Sequence, residues 1–129
     1  MSGRTVAQIL QSVSDVLFPE QLGNAPITID SVGYDGDTPL HVLAWRNDYE
    51  GVVALIRVGA PINAIGDIGQ TPLHVAILQG NESIARALLS AGADTSVRSE
   101  FGETPFDLAM RKGGGLAALV SKNAPYSGT

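Results

Sequence analysis

A six-residue phrase returns at a fixed interval and constrains most of what this chain can become. Gly36-Asp37-Thr38-Pro39-Leu40-His41 recurs as Gly69-Gln70-Thr71-Pro72-Leu73-His74, then in altered form as Gly102-Glu103-Thr104-Pro105-Phe106-Asp107. Both steps are 33 residues. A period of this size marks stacked structural units. Local chemistry predicts each unit's course. In the middle copy the Thr71 hydroxyl can cap a helix, and Pro72 sits at the first helical position, where its missing N–H costs nothing. A short helix then runs to about Gln79 and is broken by Gly80. A second helix spans about Glu82 to Ala91, with Ile84, Ala85, Leu88 and Leu89 as its apolar stripe. Gly92 occupies the left-handed position that ends a helix. Ala93 to Phe101 is polar and reads as extended, leading to Gly102.

The first copy follows the same plan. Thr38 and Pro39 open it, Asn47-Asp48 replaces the turn glycine, Val52, Leu55 and Ile56 line the second helix, and Gly59 stops it. The third copy is degraded. Asp107 replaces His, glycines run from Gly113 to Gly115, and the second helix is expected to be about two residues short. Asn123-Ala124 stands where Gly-Ala stood, Asn being the usual substitute at a left-handed helix end. Residues 125–129 are expected to be a frayed tail. At the N-terminus Thr5 and Gln8 form a capping box. Val6, Ile9, Leu10, Val13, Val16 and Leu17 predict one amphipathic helix over 4–17, ended by Pro19. Ala25-Pro26-Ile27 echoes Ala60-Pro61-Ile62, so this opening helix stands in for the second helix of a missing unit.

The Thr-Pro-Leu-His phrase, the Gly turn, Leu-Leu and Gly-Ala-Asp on a 33-residue period resemble the ankyrin repeat over about residues 25–124. The resemblance implies an all-α solenoid of helix-turn-helix units. It would hold three repeats (about 36–68, 69–101 and 102–124) behind an N-terminal cap and linker over 1–24, all in one domain. Departures are Gly51, where the family usually has Ile or Leu, Gly66, where it often has Asp, and Asp107, where it has His. A capped N-terminus and a degraded last repeat argue against a fragment of a longer array, whose end faces would be intact.

Composition excludes several functions. At 129 residues, with 44% apolar and 16% charged residues, the chain is an ordinary globular domain. A net charge of −5 steers it toward basic partners and away from nucleic acid, whose binding needs Lys and Arg on phosphates. With no cysteine there is no disulfide, thiol catalysis or Cys-based zinc site, which fits the cytoplasm. No signal peptide and no membrane span are visible. Lys112-Gly113-Gly114-Gly115 lacks the order of a phosphate-binding loop and reads as a flexible turn. No Ser has an obvious base and orienting acid, so no catalytic residue, metal or cofactor is expected.

His41 and His74 invite a metal or acid–base reading. The resemblance implies instead a structural hydrogen bond among imidazole, Thr hydroxyl and backbone. Stacking would also hold the two rings about 10 Å apart, too far to share one zinc. The resemblance further implies that partners are met by loop tips and by the exposed side of the first helices. The corresponding loop residues are Tyr34, Asp35, Asp37, Asp67, Ile68, Gln70, Glu100, Phe101 and Glu103, and the helix residues are Trp45, Arg46, Leu78, Gln79, Arg111 and Lys112. An aromatic–aliphatic strip rimmed by charge has the composition of an interface. The expected function is therefore protein–protein recognition by a cytoplasmic monomer, its partner carrying a basic patch opposite the loops. The alternatives are a dedicated inhibitor or immunity protein that blocks a basic enzyme or toxin, and a small metal or enzyme domain built on the two histidines.

Overall fold

Each Thr-Pro step starts a helix by the same hydrogen bonds. Thr38, Thr71 and Thr104 are extended, and their hydroxyls accept from the backbone N–H three residues on. That third residue returns the bond: Nδ1 of His41 and of His74, or Oδ2 of Asp107, accepts the Thr N–H at 3.1, 3.0 and 3.2 Å. Two otherwise unpaired donors are thereby satisfied in each first turn. The computed structural model describes residues 3–21 and 24–122. All regular structure among these is helical: α1 Val6–Gln11, α2 Ser14–Leu17, α3 Pro39–Trp45, α4 Tyr49–Arg57, α5 Pro72–Leu78, α6 Glu82–Ser90, α7 Pro105–Lys112 and α8 Gly114–Lys122.

The helices form two rows. The first helices stack in the order α3, α5, α7, and the second helices in the order α1, α4, α6, α8. Between the rows lie the fully buried Leu40, Leu43, Leu55, Leu73, Ile77, Ile84 and Leu88. The opening helix thus occupies the second-helix row, and Ala25 is buried as Ala60 is. Finger-like turns project between units, and each closes on the same bond. Gly33 N–H donates to Asp37 O at 2.8 Å, Gly66 to Gln70 O at 2.8 Å, and Ser99 to Glu103 O at 2.9 Å. Gly36, Gly69 and Gly102 have φ of 98°, 74° and 79° inside these turns, which is why the repeated phrase begins with Gly.

Three expectations need correction. The helix expected over 4–17 is broken at Ser12-Val13. The Ser12 hydroxyl takes the Ile9 carbonyl at 2.6 Å, and the Ser14 hydroxyl donates to Ala25 O at 3.0 Å. Such local bonds compete with the helical ladder. The break keeps Ile9, Val13 and Leu17 inside and leaves Val16 exposed. The far end of this segment is at Leu17, where the expected helix over 4–17 stops ahead of Pro19. Secondly, the second helix of the third repeat is not short. α8 has nine residues, as α4 and α6 do. The shortening falls on the turn. Thirdly, only Gly113 separates α7 from α8, and Gly114 and Gly115 lie within α8, so that run is a helix junction and not a flexible turn. The readings at Asn123-Ala124 and in 125–129 lie outside the described residues.

The departures at Gly51 and Gly66 are packing solutions. A Cβ at Gly51 would lie 3.0 Å from both Leu43 Cδ2 and Asp48 Oδ2. A Cβ at Gly66 would strike the Asp37 carboxylate and sit 2.8 Å from His41 Nε2. No helix among the described residues is long and apolar enough to cross a membrane.

Candidate partner-binding face

The two histidines are fully buried, and their rings have no free nitrogen. With Nδ1 accepting the Thr N–H, the proton is on Nε2. That N–H donates across the repeat boundary, from His41 to Gln70 O at 2.8 Å and from His74 to Glu103 O at 2.9 Å. Burial holds both imidazoles below their ordinary value, so they are neutral at physiological pH. They tie each finger to the preceding first helix. Asp37 is also inside, and burial raises its carboxyl. Its Oδ1 accepts from Asp67 N–H at 2.9 Å, which binds the first finger to the second.

The 33-residue register sorts the remaining candidates into rows. Tyr34, Asp67 and Glu100 are equivalent positions in successive fingers, all exposed. Asp35, Ile68 and Phe101 form the next row, and Trp45, Leu78 and Arg111 a row at the end of the first helices. Tyr34 is 76% exposed, Phe101 69% and Trp45 42%. Tyr34 is held in place: its ring meets Phe18 edge-on with centroids 5.9 Å apart, and its hydroxyl donates to the Glu20 carboxylate. Ile68 is half-buried at φ 60°, a left-handed conformation that costs a β-branched residue about 1–2 kcal/mol. Its carbonyl accepts Glu100 N–H at 2.8 Å, joining the second finger to the third.

A model of ankyrin repeats, three copies long, matches residues 5–99 and 40–126. The chain belongs to the ankyrin repeat family. Ankyrin repeats are generally protein–protein interaction modules and typically non-catalytic. No curated protein matches the chain.

Several candidates serve the ankyrin stack itself. Asp37 and Gln70 are buried, the first bonding the second finger and the second giving its carbonyl to His41. Arg46 turns back on the N-terminal cap, donating to Ser12 O at 2.7 Å and pairing with Asp15 at 3.5 Å. Glu103 is half-buried and paired with Arg111. Leu78 is partly buried against the core, and Gln79 accepts from Asn47 at 3.4 Å. Asp35 is exposed but accepts Asp37 N–H at 3.0 Å inside its own finger, whereas the side chains of Glu100, Phe101 and Lys112 are exposed and without such duties. Sequence reasoning missed Val32 and Ile65, both exposed and 33 residues apart beside the finger tips. Their signal was available: two aliphatics at the repeat period outside any helix.

Proposed function

We propose that this ankyrin protein is a non-catalytic recognition module, a cytoplasmic monomer that holds a partner protein against its finger tips and first-helix ends. The observation that carries this reading is the exposure of Tyr34, Phe101 and Trp45 on registered rows, beside Ile65 and Val32. Exposed apolar groups clustered this way and rimmed by charge favour a protein partner. Asp35, Asp67 and Glu100 give the tips a negative edge, which favours a partner with a basic patch and disfavours nucleic acid. The same edge suits an inhibitor of a basic enzyme, and the partner's identity separates that role from an adaptor's.

The test is a pull-down from native lysate, with mass spectrometry and parallel variants. Trp45→Ala alone is an impure probe. More than half of the ring is covered, so the truncation removes about 2–3 kcal/mol of folding stability by buried area. Phe101→Ser and Tyr34→Ala are cleaner. Each should leave the melting midpoint within a few degrees and weaken binding about 30-fold, the effect of a central aromatic anchor. A stoichiometric partner retained equally by all three variants would place the interface elsewhere.

A further inference from the structure

The row of second helices carries a hollow that the stack does not use. Tyr49, Val53 and Arg57 are spaced by four on α4 and share one face. Ser83, Arg86, Ala87 and Ser90 share a face of α6 by the same rule. These two stripes, with Ile56, line an open trough of about 400 Å³. It runs on past Tyr49, Val53 and Arg57 into a second hollow of about 420 Å³ that reaches Arg4. The α4/α6 packing itself rests on Val52, Leu55, Ile84 and Leu88, which are fully buried. Ile56 also packs partly against that core, while the Arg57 and Arg86 side chains are exposed and take no part in it.

Charge says what suits it. The chain has 13 acidic and 8 basic residues, and four of its six arginines are engaged by carboxylates or backbone. Arg4 is held by Asp48 and Glu50, Arg46 by Asp15 and Arg111 by Glu103, while Arg98 donates to Gly102 O. Arg57 and Arg86 have no carboxylate partner among the described residues, and both line this one trough. Neither nearby acid pairs with these two arginines. Glu50 is on Arg4, and the Glu82 carboxylate lies against Gly115 of α8. An apolar floor between two unpaired guanidiniums, on an otherwise acidic protein, is complementary to carboxylates flanking aliphatic groups.

We propose that the α4/α6 trough docks a short acidic segment of a partner protein, its aliphatic side chains on Val53, Ile56 and Ala87 and its carboxylates on Arg57 and Arg86. This surface lies on the second-helix row, distinct from the finger tips and first-helix ends, so the protein can hold two partners at once.

The full chain, labelled with nitrogen-15, is titrated with a synthetic peptide in which glutamates flank two leucines. The control peptide carries lysine in place of each glutamate. The glutamate peptide should shift amides of α4 and α6 at submillimolar concentration, the lysine peptide should not, and added salt should weaken the effect. Arg57→Glu with Arg86→Glu should weaken binding at least about tenfold, and Arg57→Gln with Arg86→Gln somewhat less. Both side chains are exposed, so an unchanged circular dichroism spectrum and melt are expected of either pair. Phe101→Ser should leave the titration unaltered. Shifts confined to the finger tips, equal binding by the charge-reversed chain, or no shift at millimolar peptide would overturn the proposal. So would concentration-dependent self-association in sedimentation that the charge reversal abolishes, since the occupant would then be a second copy of this chain.

Discussion

Replacing His74 separates the two bonds that its ring makes, and the structure fixes the order of the effects. The ring is fully buried. Nδ1 accepts Thr71 N–H at 3.0 Å, and Nε2–H reaches Glu103 O at 2.9 Å in the next repeat. His74→Ala deletes both and leaves the Thr71 donor buried and unpaired, a loss of about 1–3 kcal/mol from that group alone. The lost inter-repeat bond and the vacated volume bring the total to about 3–5 kcal/mol. His74→Gln is different. A Gln at this helix position can still accept the Thr71 N–H, as in an ordinary capping box, but it cannot span to the next repeat. Its cost should be about 1–2 kcal/mol, the inter-repeat bond alone. Urea unfolding monitored by circular dichroism gives both values. Hydrogen exchange supplies the location. In a stack coupled only through neighbours, the Gln variant should speed exchange in α7 and α8 while leaving α3 and α4 protected. Equal losses for the two variants would refute the division of labour between Nδ1 and Nε2. So would exchange that accelerates uniformly along the chain.

Two further outcomes follow from the same geometry. Burial depresses the folded-state pKa of His41 and His74, so the unfolded chain binds more protons just below the ordinary imidazole value of about 6.5. Their stabilising contribution is complete above that value and declines as pH falls beneath it, whereas Asp37, raised by burial, acts with the opposite sign nearer the carboxylate range. The urea midpoint should drop between about pH 7.5 and 5.5, and nitrogen-15 spectra should show both rings as the Nε2–H tautomer; rings that titrate at or above about 6.5 would contradict the burial argument. Gly66→Ala should destabilise by about 2 kcal/mol or more, because the new methyl meets the Asp37 carboxylate and His41 Nε2 at once. A melt unchanged by that substitution would show that the first finger has room to yield.

The period made the stack legible because each repeated residue answers a need that recurs at every boundary. Gly36, Gly69 and Gly102 all take left-handed turns, and Thr38, Thr71 and Thr104 all cap. What does not repeat was read less well. The break at Ser12-Val13 arises from hydroxyls reaching Ile9 O and Ala25 O, one of them distant in sequence, while the apolar spacing over 6–17 fits one helix equally well. The missing residue of the third repeat could fall in the helix or in the turn, and only packing of α8 on α6 and α7 places it in the turn. Asp37 and Gln70 shared a loop with exposed neighbours, and nothing local marks them as buried.

The same distinction bears on function. Positions that keep one residue through all repeats are consumed by the stack, so a partner must be read by positions whose residue changes from copy to copy. Tyr34, Asp67 and Glu100 differ in equivalent places, as do Asp35, Ile68 and Phe101, and Trp45, Leu78 and Arg111. Along the stack each row therefore presents a sequence of unlike groups, which is what a specific contact needs, since discrimination is a difference between correct and incorrect pairings. The second helices obey the rule as well. Val53 becomes Arg86 and Arg57 becomes Ser90 one repeat later, so the two arginines stand diagonally across the trough instead of facing each other. Two guanidiniums so placed avoid direct opposition and leave the aliphatic surface between them open to a ligand.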